Sequence, residues 1–308
     1  MDRVTLRRAQ TRVARRIRWA RDRRGVIGDD KLSPSASATA AVRRWRWRRR
    51  HGEPGRAVPV WVVGVQRSGT NMLVRGFQLS PEFEVHNEDD GRAFRRFRLR
   101  PNDEVRELIV RSPHRYVLFK PLTDSHRVAG LLDEIDTPSP GRAIWIYRGV
   151  EGRVRSAVET FGTANLAILR EISHGHALDS WQAAGLSDNS LTLISRLVHP
   201  RLNAESAAAL FWYVRNAIFF EHGLDRRPDV MLVSYDAFLR SPEATMRPLC
   251  TFLDLEYRPR LVEHISPRTS RRPHAPLPID PEIAELCADM AARLDVASEE
   301  KVRRVASV

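Results

Sequence analysis

Cysteine is nearly absent from this chain. Cys250 and Cys287 are the only two among 308 residues, and they stand too far apart for a C-x-x-C motif, so neither a zinc ribbon nor a dithiol redox site can be built from them. Each lies in an apolar helical stretch, which predicts buried thiols in a reducing compartment, the cytoplasm. Long apolar runs are missing as well: nothing approaches the roughly 18 consecutive apolar residues of a membrane span. The basic N-terminus lacks the apolar segment of a secretory signal, so none is expected. There is no internal repeat.

What the chain does have is an uneven charge. Its formal net charge is +13. Residues 1–57 hold 18 Lys and Arg against five Asp and Glu, so this arm carries the whole excess and residues 58–308 are neutral. The domain division expected is therefore a basic arm, 1–57, and an α/β domain, 58–308. In the arm, Leu6, Ala9, Val13, Ile17 and Ala20 recur every three or four residues among arginines, the pattern of a basic amphipathic helix. Lys31 to Ala41 is rich in Ser and Ala and reads as a linker. Arg43 to Arg50 then interleaves Trp45 and Trp47 with arginine. Three readings stand open for the arm: contact with an anionic membrane, contact with nucleic acid, or a solvated extension.

From Val58 the pattern alternates. Strands are expected at Val60–Val65, Tyr116–Lys120, Ala143–Tyr147 and Val230–Ser234. Helices are expected at Thr70–Leu79, Asp103–Val110, Ser125–Ile135, Glu151–Phe161, Ala204–His222, Glu243–Leu253 and Pro281–Leu294. Alternating strands and helices make a central parallel sheet covered by helices on both faces, with ligands outside the strand C-termini. Residues 162–200 are polar and irregular with helical patches, and are expected to cover the site.

The stretch that organises this domain is Pro59 to Gly76, PVWVVGVQRSGTNMLVRG. A continuous β-branched run leads into Gly64, Arg67, Ser68, Gly69, Thr70 and Asn71, and then into Met72, Leu73 and Phe77 at helical spacing. A strand–loop–helix of this kind aims backbone N–H groups and a helix N-terminus at an anion. Gly64 and Gly69 keep the glycine spacing of a Walker A loop. Thr70, however, stands in the lysine position and Asn71 in the metal-binding Ser/Thr position. The loop keeps the cradle without the parts that manage a triphosphate. The bland alternative is an ordinary α/β turn.

At these residues the chain resembles the PAPS-dependent sulfotransferases, whose 5′-phosphosulfate loop reads like Arg67-Ser68-Gly69-Thr70. A second segment, Ile144 to Ser156, resembles that family's 3′-phosphate motif: Arg148 follows a strand and Ser156 comes eight residues later inside a helix, although Gly149 stands where Asp or Asn is usual. A forked cation and a neutral donor on rigid elements suit a phosphate. Val233 to Glu243 resembles the late strand–turn–helix of bacterial and Golgi members. Ser266 to Arg272 resembles their late basic loop, with Arg268 and Arg271 as candidates. The resemblance covers roughly Val58 to Leu294.

It implies a P-loop-like fold and transfer of a sulfuryl group from PAPS to a hydroxyl, with a carbohydrate or glycolipid as the suggested acceptor and no metal expected. Gly64, Arg67, Ser68, Gly69, Thr70 and Asn71 would hold the 5′-phosphosulfate, and Arg148 with Ser156 the 3′-phosphate. Arg67 and Lys120 would be the catalytic cations. Lys120 resembles the lysine of the family's Lys-x-His pair, but Leu122 occupies the histidine position, so the base must come from elsewhere. Glu88, in the acidic segment Glu84 to Asp90, is the first candidate and His86 the second; the bland reading of that segment is a solvated loop. Two rival functions remain at this stage, a P-loop-like kinase and a nucleic-acid-binding protein using the arm.

Overall fold

The structure, a computed structural model, describes residues 34–265 and 275–307. The first helix, α1 (Pro34–His51), precedes strand β1 (Val58–Gly64), helix α2 (Thr70–Gln78) and strand β2 (Phe83–His86). A hairpin of β3 (Phe94–Arg95) and β4 (Arg98–Leu99) leads to α3 (Asn102–Arg111), β5 (Tyr116–Phe119), a 3-10 turn (Leu122–Arg127) and α4 (Val128–Glu134). Then come β6 (Arg142–Tyr147), α5 (Val150–Phe161), α6 (Ala164–Ser173), α7 (Asp188–Leu197) and α8 (Ala204–Glu221). The chain closes with β7 (Val230–Ser234), α9 (Tyr235–Arg240), α10 (Pro242–Phe252), a 3-10 turn (Pro259–Leu261) and α11 (Pro281–Ala306).

Five strands form one parallel sheet in the order β2-β5-β1-β6-β7. Successive side chains alternate between its faces. Trp61, Val63, Val117, Phe119, Ala143 and Trp145 join a core with α3 to α8 and α11. Val60, Val62, Tyr116, Leu118, Ile144 and Ile146 join a second core with α2, α9 and α10. With both faces covered, a strand must be apolar at every position, and this is why β1 and β6 read as continuous runs. The expected parallel sheet between two helical layers is the fold observed.

Several local expectations are corrected. The linker expected over 31–41 is, from Pro34 onward, the first half of α1. Proline is tolerated in a first helical turn, and Ala36, Ala38, Ala40 and Ala41 favour helix; Ala40 is buried against the body. The acidic segment at Glu84 starts not as a loop but as the end of β2, an edge strand paired with β5. The helix expected at Ser125 begins as a 3-10 turn, where the Ser125 hydroxyl bonds both the N–H and the C=O of Gly64. Helix α11 runs to Ala306, well past Leu294. Its charged second half is tied to the sheet side by Tyr147 Oη to Asp295 and by the Lys301 ammonium on the carbonyls of Leu224 and Arg227. Residues 162–200 do not cover the site: α6 and α7 bury Leu169 and Ile194 in the α8 core instead. The amphipathic pattern from Leu6 to Ala20 lies outside the described residues.

Candidate active site

All five parallel strands end at one edge, and residues just beyond each line a single cavity of about 480 Å³. β1 leads into Gln66, Arg67, Gly69, Thr70 and Asn71, and β2 into Asn87, Glu88 and Asp89; β5 delivers Lys120, β6 Arg148 and β7 Tyr235. Strand order reverses about β1, which lies between β5 and β6, and open parallel sheets bind ligands at such a point. The three neighbouring strands β5, β1 and β6 each place a cation there: Lys120, Arg67 and Arg148.

The loop after β1 is shaped by backbone conformations that ordinary residues avoid. Gly69 caps α2 at φ +89°, and a Cβ on it would run into the Tyr235 ring. Gly64 has φ +135°, with the Ile146 carbonyl where a Cβ would go. Arg67, which has a side chain, also sits at positive φ, 71°. A non-glycine residue held there costs of order 1–3 kcal/mol, and such strain gathers at ligand sites. The N–H groups of Met72 and Leu73 turn back to the Gly69 carbonyl and start the helix, whose N-terminal dipole favours an anion in front of it. Ser68 is not part of the wall. Its hydroxyl is buried with no partner among the described residues, and its N–H bonds the Val65 carbonyl. Gly64 also lies beneath the cavity rather than on it.

The two arginine motifs are hydrogen-bonded into one unit. Arg67 Nε donates to Ser156 Oγ at 2.9 Å, and Arg148 Nη1 donates to the Arg67 carbonyl at 3.4 Å. Arg148 lies over the Tyr235 ring at 4.9 Å, and its own carbonyl accepts from Trp212 Nε1 at 2.9 Å. The turn after it is held by Asp236, whose carboxylate accepts the Gly149 N–H at 2.7 Å. Thus Ser156, expected beside Arg148, bonds Arg67 in this structure. Lys120 Nζ donates to Asn71 Oδ1 at 2.7 Å. The neighbouring strand therefore brings an ammonium to the loop whose own Walker lysine position is Thr70.

Beneath the loop lies a cation the sequence reading missed. Arg153 is fully buried, with Nη1 on the Ala208 carbonyl at 2.6 Å, Nε on the Gln66 carbonyl at 3.3 Å and its plane over Phe211. Burial, aided by the charge of Arg67, lowers its pKa to about 9. Its hydrogen-bond partners are neutral oxygens, so it adds positive potential below the cradle. Its place in an amphipathic helix gives no hint of this in sequence.

The two candidate bases separate. His86 faces away from the cavity. It is fully buried, stacks on Phe119 and shares a 2.7 Å hydrogen bond between Nδ1 and Asp90. Burial holds its pKa below the ordinary histidine value despite Asp90 and Glu84. β2 pairs His86 with Phe119 of β5, so its side chain stacks on that ring against the first core and not on the cavity wall, and the second candidate is withdrawn on this ground. Glu88 lines the cavity, with Asp89 beside it.

Among the wall residues outside the sequence expectation are Arg75, Asn87, Tyr235 and His264. His264 Nε2 donates to the Met72 carbonyl at 2.8 Å, and burial lowers its pKa. Arg75 Nε, Asn87 Oδ1 and His264 Nδ1 are buried with no hydrogen-bond partner among the described residues. Orphaned polar atoms are uncommon in a finished interior, and several around one cavity suit a polar ligand. Position directly after an expected strand was the available signal for Tyr235; Arg75 and His264 had none, and Asn87 follows β2, a strand the sequence did not announce. Arg268 and Arg271 lie outside the described residues. Among the described residues no three His, Cys, Asp or Glu side chains converge as a metal site.

Fold and site together define an α/β protein with a cation-lined, anion-adapted cavity at the strand ends. No family model and no curated protein sequence matches the chain. Solved structures do, at low identity. A sulfotransferase from Alicyclobacillus acidocaldarius is 16% identical over 82% of this chain and 96% of its own, with a TM-score of 0.43. Mouse sulfotransferase SULT7A1, complexed with PAP, is 13% identical over 77% of this chain and 66% of its own, at 0.34. The sulfotransferase domain of the Synechococcus PCC 7002 olefin synthase is 13% identical over 83% and 97%, at 0.37. At such scores no residue role is carried across, and the chemistry rests on this chain's own side chains.

Proposed function

We propose that this chain transfers a sulfuryl group from PAPS to a hydroxyl acceptor. The observation that carries the reading is the meeting of Arg67, Lys120 and Arg148 from three adjacent strand ends on one cavity, around a loop without the Walker lysine. PAPS has two anionic ends, and the joined Arg67–Ser156–Arg148 unit supplies forked donors for both. Gly69, Thr70 and Asn71 face the 5′-phosphosulfate, while Tyr235, Leu239, Met72 and His264 offer apolar and aromatic surface for the purine.

In the reaction the acceptor oxygen attacks sulfur and the bond from sulfur to the 5′-phosphate oxygen breaks. The hydroxyl proton passes to a carboxylate, for which Glu88 is the candidate. Arg67 and Lys120 stabilise the charge that grows on the departing phosphate. A sugar hydroxyl fits the polar wall formed by Asn87, Glu88 and Asp89. The proposal places the enzyme in the cytoplasm, a location supported by its two free, buried thiols, each pushed up to about 12 by burial. No described helix is long and apolar enough to cross a membrane.

A thermal-shift panel of PAPS, adenosine 3′,5′-bisphosphate, ATP and GTP without metal tests the donor. A ligand that binds only the folded state raises its apparent stability by mass action. Adenosine 3′,5′-bisphosphate is expected to raise Tm more than ATP does. Equal or greater stabilisation by ATP with Mg²⁺ would overturn the reading in favour of a kinase.

A further inference from the structure

We propose that the outer face of helix α1 is a docking surface for an anionic lipid bilayer, and that the docked protein holds its cavity mouth away from that bilayer. The helix has a fixed inner side. Ala40 is buried, Arg44 Nη1 donates to the Gln78 carbonyl at 3.4 Å, and Trp47 stacks on His114 at 5.8 Å with the ring planes nearly parallel. Positions 40, 44, 47 and 51 share one side of an α-helix, so the opposite side, with Val42, Trp45, Arg46 and Arg49, is turned outward.

That side is built as an interfacial surface. Val42 and Trp45 are one turn apart and remain 50% and 48% exposed. They are among the few large apolar side chains the described protein leaves in solvent. Arg43, Arg46, Arg49 and Arg50 flank them, and the helix contains no acidic residue. Tryptophan beside apolar residues, with arginines at its edge, matches the boundary between acyl chains and phosphate headgroups. Clustered arginines near a membrane select anionic lipid.

Nucleic acid fits less well. Single strands bind by stacking bases on exposed aromatic faces, but the Arg49 guanidinium already lies over the Trp45 ring at 4.7 Å, and Val42 offers nothing to a phosphate backbone.

The helix also sets an orientation. Its contacts are with the end of α2 and with the segment before β5, which is the N-terminal edge of the sheet. The cavity lies at the C-terminal edge, beyond Gly64 at the far end of a seven-residue strand, roughly 20 Å away at about 3.3 Å per residue. A lipid-embedded acceptor in the same bilayer would not reach it. Resting here on the proposed sulfuryl transfer, the acceptor is a water-borne molecule rather than a glycolipid of that membrane.

Co-sedimentation of the full chain with phosphatidylcholine vesicles, with and without 30% phosphatidylserine, tests the surface without any donor or acceptor. Binding is expected only to the anionic vesicles and should fall steeply with salt. The variant Trp45→Ala/Arg46→Glu/Arg49→Glu should bind at least tenfold more weakly while keeping its Tm and its response to adenosine 3′,5′-bisphosphate. Absence of wild-type binding, equal binding to neutral vesicles, or unchanged binding by the variant would each overturn the proposal. So would tight single-stranded DNA binding by a chain that ignores vesicles. A variant that loses its Tm is replaced by Arg46→Gln/Arg49→Gln, for which at least a threefold loss is expected. Failure of the nucleotide panel leaves these results standing, so the two readings fail separately.

Discussion

The two edges of the sheet make a controlled comparison, because both are rich in arginine. Between α1 and the N-terminal edge lies a second cavity, with Arg50, Arg56, Arg115 and Arg258 on its wall. Three of these have carboxylate partners: Arg56 on Glu53, Arg115 on Glu82 and Asp254, and Arg258 on Glu256. At the C-terminal edge Arg67 bonds a hydroxyl and Arg153 bonds carbonyls. Neutral partners orient a guanidinium without cancelling its charge. Arginine content therefore does not mark the site; what distinguishes it is the neutral partners of Arg67 and Arg153, together with the loop conformation that surrounds them.

Substitutions at the two edges can break this contrast. The largest effect is expected from Arg67→Ala, which removes a cation where charge grows during reaction. Sulfuryl transfer from PAPS, read as adenosine 3′,5′-bisphosphate released with an accepted hydroxyl acceptor, should fall by about 10²–10³-fold. Turnover within twofold of wild type would remove Arg67 from the catalytic group.

Arg153→Ala should come next, this time in stability. It removes the donor on the Gln66 carbonyl and the second donor on the Ala208 carbonyl, which keeps its helical partner, and it opens a cavity under the loop. Such changes cost about 3 kcal/mol, and urea unfolding would read this as a lowered midpoint. A loss below about 1 kcal/mol would mean that the buried charge does not brace the cradle.

Arg148→Ala should weaken adenosine 3′,5′-bisphosphate binding by about 1.5–3 kcal/mol, the range for a hydrogen bond to a charged group. Calorimetric titration measures it, and an unchanged Kd would take Arg148 out of the donor site. The smallest effect belongs to the other edge. Arg258→Ala breaks an exposed ion pair with Glu256, so unfolding should change by at most about 1 kcal/mol and nucleotide affinity not at all. A tenfold loss of nucleotide affinity in Arg258→Ala would erase the distinction between the edges.

Much of the site edge was legible in the chain. A strand buried on both faces must be apolar at every position, so β1, β5 and β6 announced themselves, and a cation beyond each could be named: Arg67 beyond Gly64, Lys120 after Phe119, Arg148 after Tyr147. Elements with weaker local signals were missed. β2 has only four residues, two of them polar, and its strand character comes from pairing with β5. The second half of α11 looks like a solvated run until Lys301 is seen on two backbone carbonyls. His86 and Glu88 were indistinguishable by composition. The end of β2 turns one into the core and leaves the other on the cavity.

By itself the sequence determined the alternation of strand and helix, the cradle with threonine in the lysine position, and the charge division between arm and body. These follow from periodicity, residue type and net charge, all of which act along the chain. Only the tertiary structure decided that Lys120 reaches Asn71, that Arg67 bonds Ser156, that Arg153 lies beneath Gln66, and that α1 sits at the opposite edge from the cavity. Each of these is a contact between residues many positions apart, fixed by strand order and by which side of an element faces the sheet. No window on a single segment carries that information.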